Sequence, residues 1–376
     1  MDADVAVIGV GTMGSMAVWH LVRKGVSVLG FEQFGIGHDR SAVGGGSRIF
    51  RTAYLEGHEY VPILKESYRQ WRMLEKESNQ ELLTINGGLM IGDSNLGPMK
   101  ALMESIDKYN LEHEVLNEED AKERYPQHRL LTGEKMVLDK NAGFLRPELS
   151  VISAVNLAEN LGAKVFSYTK VTNIAYDGTG VTITTNDNEY RVGKVIITTG
   201  PWVKNIVPEF NDVIKIRRLI MAWFAPKDVF QFEPENFPVF ARRSRNEVIT
   251  GAPVIDGNMV RISNNTTLAN VDKPELFDKN IPIEDVLPIR NAVQDYFSGL
   301  HPDPVRVNAF MEGYTEDKHP IVGKMPGKDN TIILCGFSGH GFKMSPVMGE
   351  IAANFALDIE SPFSVDFLSP TRYANA

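Results

Sequence analysis

The stretch Asp4-Val-Ala-Val-Ile-Gly-Val-Gly-Thr-Met-Gly14 decides the fold of this chain, because an apolar strand runs directly into a Gly-x-Gly-x-x-Gly turn. Glycines at this spacing allow the backbone to approach a pyrophosphate and aim a helix N-terminus at its negative charge. The apolar positions that follow predict a helix over residues 13–24, which ends at Gly25. The chain therefore begins with a βαβ unit of the type that binds a dinucleotide.

A second apolar strand, predicted over residues 26–31, ends in Glu32. This acid follows the glycines by roughly 20 residues, where a carboxylate can accept hydrogen bonds from the ribose of adenosine. The glycine motif alone leaves NAD and FAD as equal alternatives. A further alternative is a glycine-rich turn in an ordinary βαβ unit that binds no nucleotide.

The composition is that of an ordinary globular protein, with 376 residues, 43% hydrophobic and 23% charged. This length is sufficient for two domains. The formal net charge of -9 gives no electrostatic reason to expect nucleic acid or an anionic membrane as a partner. Basic residues cluster locally at Arg48 and Arg51, at Arg217-Arg218 and at Arg242-Arg243, where they could serve a small anion.

The only cysteine is Cys335, so the chain can form no internal disulfide and no cysteine cluster for a metal. We expect Cys335 to be a small core residue of a buried strand. The first strand starts within a few residues of Met1, which leaves no room for a signal peptide. No uncharged apolar run approaches the roughly 18 residues of a membrane span. We therefore expect a cytoplasmic protein.

Two later stretches, 194–202 and 330–336, are predicted buried strands that run into glycine turns, and residues 215–314 between them are rich in β-type runs. We predict an α/β protein with a Rossmann-like FAD-binding domain assembled from residues 1–85, 146–214 and 318–376. A β-rich substrate domain would comprise residues 86–145 and 215–317. This interrupted layout favours a flavoprotein over a nicotinamide dehydrogenase, whose nucleotide domain is usually one continuous block.

Three segments carry a family resemblance: Ser47-Arg-Ile-Phe-Arg-Thr-Ala-Tyr-x-Glu-Gly-x-x-Tyr-Val-Pro62, Ala142-Gly-Phe-Leu145 and Gly336-Phe-Ser-Gly-His-Gly-Phe-Lys343. With the glycine fingerprint, they resemble the monomeric sarcosine oxidase and N-methyltryptophan oxidase family, within the D-amino-acid-oxidase fold group. The resemblance covers nearly the whole chain. It implies non-metal FAD chemistry at the C–N bond of an amino acid.

The resemblance also implies roles for individual residues. Arg51 and Lys343 match the pair that holds the substrate carboxylate, and Arg48 matches an arginine beside the flavin. A planar guanidinium suits the first task, because it can grip a carboxylate with two hydrogen bonds. The residues that the resemblance assigns to FAD are Gly9, Gly11, Thr12, Met13, Gly14, Glu32, Gly45, Ser47, Arg48, Val171, Thr199, Gly200, Trp202, Gly339, Gly341, Phe342 and Lys343.

Four positions depart from the family pattern. Phe310 stands where family members often carry a cysteine bonded to the flavin, so we expect FAD to be bound non-covalently. Arg261 replaces a lysine that activates oxygen and Asn265 replaces a histidine. Glu312 replaces an active-site tyrosine, which favours a cationic or hydroxyl-rich substituent on the substrate amine. The alternative for Glu312 is a glutamate on a surface loop.

The leading hypothesis is an FAD-dependent oxidase, a monomer, that acts with O2 on N-methyl or N-fructosyl amino acids. Its products would be an imine, then a primary amine, an aldehyde or ketone, and H2O2. We assign catalytic roles to Arg48, Arg51, Arg261, Glu312 and Lys343. Arg261 and Asn265 motivate an alternative, a dehydrogenase that passes electrons to another acceptor. A third hypothesis is a flavin-binding protein without turnover. For His340 we expect a structural role, with its ring bonded to backbone.

Overall fold

A computed structural model describes residues 1–244, 247–266 and 268–373 of the protein. Residues 374–376 of the predicted FAD-domain segment, and residues 245, 246 and 267 of the predicted β-rich segment, lie outside this part of the chain. No helix within it is sufficiently long and apolar to cross a membrane.

The described residues form twenty strands and eight α-helices. The strands are β1 (Ala3–Ile8), β2 (Val28–Phe31), β3 (Arg48–Phe50), β4 (Leu83–Ile85), β5 (Gly88–Asp93), β6 (His113–Leu116), β7 (Glu134–Asp139), β8 (Gly143–Leu145), β9 (Lys164–Phe166), β10 (Val171–Tyr176), β11 (Val181–Thr185), β12 (Glu189–Ile197), β13 (Lys215–Phe224), β14 (Val239–Ser244), β15 (Glu247–Val254), β16 (Val260–Asn264), β17 (Ala269–Val271), β18 (Arg306–Tyr314), β19 (Ile321–Met325) and β20 (Lys328–Cys335). The helices are α1 (Thr12–Arg23), α2 (Val61–Ser78), α3 (Gly97–Tyr109), α4 (Glu118–Arg124), α5 (Pro147–Asn160), α6 (Val203–Ile206), α7 (Ile283–Tyr296) and α8 (Ser345–Ala356).

The first sheet is a parallel core extended at one side by antiparallel strands. Its order is β10-β11-β12-β1-β2-β9, with β20 parallel to β12 and β19 antiparallel to β20. The central strand β1 pairs in parallel with both β2 and β12. Helix α1 packs against α5 and α8. The carboxyl ends of β1, β12 and β20 therefore meet at one edge, where a doubly wound sheet holds its ligand.

The second sheet has nine strands in the order β17-β13-β16-β15-β14-β5-β7-β6, and β18 also pairs with β13. Successive side chains on these strands alternate between two faces. Phe240, Ile249 and Ile262 face an apolar core that includes Ile289 and Val293 of α7. The opposite face is turned towards the first sheet. A small third sheet has the order β3-β8-β4, with both pairings antiparallel.

Most predicted elements are present within about two residues of their expected limits. The strand predicted from Val26 begins at Val28, because the backbone of Ser27 instead donates to the side chain of Asp4 (2.9 Å). Val43, in the glycine-rich loop over residues 34–48, is buried. Its side chain lies in an apolar cluster with Trp19 of α1 and Phe50 of β3.

His128 is enclosed by aromatic rings in the core below the second sheet. It stacks on Phe237 with a centroid separation of 5.0 Å and also contacts Phe240 and Phe297. Neither ring nitrogen has a hydrogen-bond partner among the described residues. Burial, together with the nearby charge of Arg242, lowers the pKa of His128 to about 3. The folded protein thus keeps this ring neutral.

We expect His128 to make folding less stable in acid. The unfolded chain binds a proton at this ring as the pH falls through the ordinary value of 6.5, whereas the folded protein excludes it down to about 3, so protonation favours the unfolded state. Replacing His128→Phe keeps the aromatic packing and removes the titration. Urea unfolding of both proteins at about pH 7 and pH 5 should show a smaller loss of stability in the variant. An equal loss in both proteins would contradict this account.

Candidate active site

One large cavity, of about 650 Å³, lies between the carboxyl edge of the first sheet and the inner face of the second. Residues of the glycine fingerprint and of the β2 and β12 ends line one part of it. Alternate residues of β13 to β16 and the loop after β20 line the other part. All of the predicted site residues line this cavity except Gly14, Gly45 and Ser47, which lie directly behind its wall.

The glycine turn is closely packed against β12. Gly9 has φ of +86°, and a Cβ there would lie 2.8 Å from the carbonyl oxygen of Thr198. A Cβ on Gly14 would lie 1.9 Å from the carbonyl oxygen of Gly9. The turn therefore brings the start of α1 close to the strand ends. No side chain caps α1 at Gly11, so its first N–H groups are free to meet an anion in the cavity.

Glu32 is held rigidly at the end of β2. Its Oε2 accepts from the backbone N–H of Val10 and its Oε1 from that of Phe34, each at 3.0 Å. His38 lies 3.4 Å from Oε1. Across the cavity, the hydroxyl of Thr199 is buried and has no partner among the described residues. An anion-binding turn, an oriented carboxylate and a free hydroxyl together fit the ADP half of a dinucleotide.

The loop after β20 is fixed from outside the cavity. The carbonyl of Lys343 accepts from Ser67 Oγ (2.5 Å) and from Trp71 Nε1 (3.0 Å), both on α2. The Lys343 ammonium donates to the carbonyl of His340 at 2.8 Å. The side chain of Lys343 is thereby held in the cavity wall.

His340 anchors the same loop. Its Nε2 lies 2.9 Å from the carbonyl oxygen of Lys318, and its Nδ1 lies 2.8 Å from the hydroxyl of Tyr54. Burial lowers the pKa of His340 to about 4, so the ring is neutral, donating to the carbonyl and accepting from the hydroxyl. The predicted bond between ring and backbone is present. With both nitrogens engaged, the ring orients its neighbours.

Arg51 is buried at the other part of the cavity and is bound to Glu56. Its Nη2 lies 2.8 and 2.7 Å from the two carboxylate oxygens of Glu56, and its guanidinium lies 4.9 Å from the centre of the Tyr54 ring. Arg243 approaches the same carboxylate, with its Nη2 3.4 Å from Oε1. Burial opposes ionisation of Glu56, but Arg51 and the surrounding positive charges lower its pKa to about 2. Glu56 is an anion that bridges two arginines.

Burial disfavours the charged forms of Lys343 and Arg243. The pKa of Lys343 falls to about 7, first because of burial and second because of the charge on Arg51. Burial also lowers the pKa of Arg243, partly offset by Glu56. This part of the cavity is thus built to attract a carboxylate.

Arg48 and Arg261 form a second positive region, and no carboxylate of the described residues is in hydrogen-bond contact with either of them. Arg48 donates to the carbonyls of Ala42, Gly44 and Ser47 at 2.5, 2.6 and 2.7 Å. Arg261 Nε donates to Ser47 Oγ at 2.7 Å. Burial and the neighbouring Arg48 lower the pKa of Arg261 to about 9. An electron-rich group placed between them would gain from this charge.

Glu312 lines the cavity and does not lie on a surface loop. Burial raises the pKa of its carboxyl, an effect that the charges of Arg48 and Lys343 partly oppose. Phe310, two residues earlier on β18, is buried against the glycines of the 34–48 loop. A Cβ on Gly44 would lie 2.7 Å from its ring. Cys335 is buried in the core, as predicted.

Glu56 was not identified as a site residue from the sequence, and the sequence did not show that the side chain of Arg243 points into the cavity. Glu56 lies within the resemblance segment, but nothing in its spacing shows that it contacts Arg51. The Arg242-Arg243 pair was recognised as a possible anion site. The strand register is needed to show that the two side chains point in opposite directions. Arg242 binds the buried carboxylate of Glu134, and Arg243 lines the cavity.

Comparisons with known proteins agree with this geometry. The model of the FAD dependent oxidoreductase family (DAO) matches residues 4–355. Monomeric sarcosine oxidase of Streptomyces avermitilis is 33% identical over 385 aligned positions, which cover 99% of this chain and 98% of that protein. N-methyl-L-tryptophan oxidase of Escherichia coli O157:H7 is 28% identical over 383 positions, covering 99% of this chain and all of that protein (100%).

Solved structures show the same fold. NikD, an amino acid oxidase essential for nikkomycin biosynthesis, superposes with a TM-score of 0.87 at 21% identity, covering 98% of this chain and 97% of that one. Amadoriase I of Aspergillus fumigatus, a fructosyl amine:oxygen oxidoreductase, superposes with a TM-score of 0.79 at 17% identity. The match covers 99% of this chain and 90% of that one. At these identities the likeness concerns the fold alone.

Two glycine substitutions separate packing from nucleotide binding. Gly14→Ala places a methyl group against backbone, so we expect it to lower the free energy of unfolding by about 3 kcal/mol. A Cβ on Gly11 meets no atom of the protein within 4 Å but enters the cavity. Gly11→Ala should therefore fold normally and bind FAD more weakly. Urea unfolding and fluorescence titration with FAD measure the two effects; full FAD affinity in a folded Gly11→Ala protein would contradict this assignment.

Proposed function

The chain belongs to the DAO family of FAD-dependent oxidoreductases, and we propose that it oxidises the C–N bond of N-substituted amino acids, with O2 as the electron acceptor. The observation that carries the proposal is the pair of buried cations, Arg51 and Lys343, in the cavity that also holds the nucleotide-binding turn. The names of the sarcosine and N-methyltryptophan oxidases, similar over nearly the full length, support the same substrate class. A monomer is the proposed state of assembly.

The substrate carboxylate would bind where Glu56 now binds. Arg51 donates from Nη2 to both oxygens of Glu56, so this guanidinium already binds a carboxylate at this position. Lys343 is held nearby through its bond to the carbonyl of His340. A substrate carboxylate that takes Arg51 from Glu56 gains the charge of Lys343 as well. Contact with both cations would fix the substrate carboxylate at a defined distance from Arg48 and Arg261. This position would in turn orient the substrate amine.

FAD, when bound, accepts the two electrons and the hydrogen that leave the substrate. The overall reaction of an N-methyl amino acid is R–NH–CH3 + O2 + H2O → R–NH2 + CH2O + H2O2. The protein's own part is to bind, to orient and to supply charge. Arg48 and Arg261 would offer positive charge to the electron-rich edge of the bound ring, since their own hydrogen bonds go to neutral groups.

Non-covalent binding of FAD is part of the proposal. The side chain of Phe310 packs against Gly44 and offers no nucleophile to the cofactor. Glu312 would contact the substituent on the substrate amine, which favours a hydroxyl-rich group such as N-fructosyl over a bare N-methyl. Burial favours the neutral form of this carboxyl, which can then donate as well as accept hydrogen bonds.

A dehydrogenase that uses another acceptor is a second candidate, motivated by Arg261. This side chain keeps a positive charge beside the cavity but cannot exchange protons as a lysine does. Rapid mixing of the substrate-reduced protein with air-saturated buffer distinguishes the two. Prompt return of the flavin absorbance supports an oxidase, whereas a flavin that stays bleached supports the dehydrogenase.

We expect H2O2 release from the holoenzyme with at least one member of a panel of N-methyl, N-fructosyl and cyclic secondary amino acids. Arg51→Met should lower kcat/KM for that substrate by about 100-fold, because a charge-assisted bond to its carboxylate is lost. Arg69→Met, at an exposed arginine of α2, is the matched control. Turnover of primary amino acids alone would overturn the proposal.

Acid precipitation of the holoenzyme should leave a colourless protein pellet, because non-covalently bound FAD stays in solution.

The affinity for a carboxylate should fall as the pH rises through about 7, the pKa of Lys343. The protonated amine attracts the carboxylate, and above this pKa the charge is lost. Calorimetric titration of the holoenzyme with (methylthio)acetate from about pH 6 to pH 9 measures the effect. Lys343→Met should bind weakly at every pH, and Lys343→Arg should bind well at every pH. A wild-type affinity independent of pH would contradict the prediction.

A further inference from the structure

Arg243 has no role in the chemistry derived above, yet it lines the same cavity. It lies on β14, where Arg242 points to the buried Glu134 and Arg243 points the opposite way. Its side chain is about one-fifth exposed (22%), and that exposure opens onto the cavity. A guanidinium in such a place is available to a ligand.

The contact between Arg243 and Glu56 shows that this arginine can bind a carboxylate. A single oxygen of Glu56, Oε1, lies 2.8 Å from Arg51 Nη2 and 3.4 Å from Arg243 Nη2. The two guanidinium groups therefore converge on one small volume. Anions bound to each of them would be close neighbours, separated by a short spacer.

The balance of charge in this part of the cavity also favours a ligand with two acidic groups. Arg51, Arg243 and Lys343 share this part of the cavity, and Glu56 is the carboxylate that contacts the two arginines there. With a substrate monocarboxylate on Arg51, these three cations face two carboxylates, that of the substrate and that of Glu56. One buried positive charge is then uncompensated, which is unfavourable. A second acidic group on the substrate would restore the balance of charge.

We propose that Arg243 is a specificity-determining residue that binds a second acidic group, so that the preferred substrates are N-substituted amino dicarboxylic acids. The proposal rests on the proposed function, in which Arg51 holds the α-carboxylate. The convergence of the two arginines favours a short spacer, as in aspartate- or glutamate-type side chains.

A matched pair of substrates tests this. N-methylaspartate and N-methylasparagine have the same shape and differ in the charge of the terminal group. For the wild-type holoenzyme we expect kcat/KM to favour the acid by roughly 10- to 100-fold, as a charge-assisted hydrogen bond implies. Arg243→Gln should reduce that ratio to about one, and Arg243→Lys should keep part of it. Arg290→Gln, on α7 and outside the cavity, should keep the wild-type ratio. Thermal unfolding verifies that each variant is folded.

A wild-type ratio near one, or a ratio that Arg243→Gln leaves unchanged, would overturn the proposal. A binding measurement separates it from the proposed function. The sulfur analogues 2-(methylthio)butanedioate and 2-(methylthio)butanoate are not amines, so their calorimetric Kd values need no turnover. Tighter binding of the dianion in the wild type, lost in Arg243→Gln, supports the role of Arg243 even if no amine is oxidised. Equal Kd values would refute that role even if sarcosine is a substrate.

Discussion

The alternation of side chains along β14 is the constraint on which the substrate half of the molecule depends. Arg242 and Arg243 are neighbours in sequence, and the pleat of the strand sends them to opposite faces. One is neutralised by Glu134 inside the apolar core and contacts the Tyr296 ring at 4.1 Å. The other reaches the cavity. A slip of one residue would bury the wrong charge and remove the cavity cation, so the buried ion pair specifies the register that forms the active site.

The nucleotide half depends on an equally tight contact, between the glycine turn and the end of β12. Because Gly9 and Gly14 leave no room for side chains, the start of α1 lies directly over the strand ends. The two halves then face each other across a single cavity. Its nucleotide end offers backbone N–H groups and a fixed carboxylate, and its substrate end offers guanidinium and ammonium groups. In the proposed function, the cofactor and the substrate carboxylate would therefore be recognised by different chemistry at opposite parts of one cavity.

Local patterns predicted the strands, the helices and the nucleotide end, because each depends on residues close together in sequence. The glycine spacing, the apolar alternation and Glu32 suffice for that. Contacts between distant segments could not be predicted in this way. The residues around Glu312 do not by themselves place it in the cavity rather than on the surface, since this depends on how β18 pairs with β13; only the family resemblance pointed to an active-site position. Likewise, Val239-Phe240-Ala241 is apolar throughout, so hydrophobic alternation does not show which arginine faces inward. The burial of Val43 also arises from contacts with distant segments, since Trp19 of α1 and Trp71 of α2 lie in the same apolar cluster.

In the proposed function, Glu56 would be a tethered competitor of the substrate carboxylate. A carboxylate on a short loop has an effective concentration near Arg51 on the order of millimolar or higher, and dilution does not remove it. Adventitious anions such as acetate must overcome this internal ligand, and a monodentate anion without further contacts gains little by doing so. A true substrate adds the energy of its amine and substituent contacts. The resting protein thus keeps Arg51 and Arg243 paired with Glu56, and part of their intrinsic affinity for anions is given up for discrimination against simple anions.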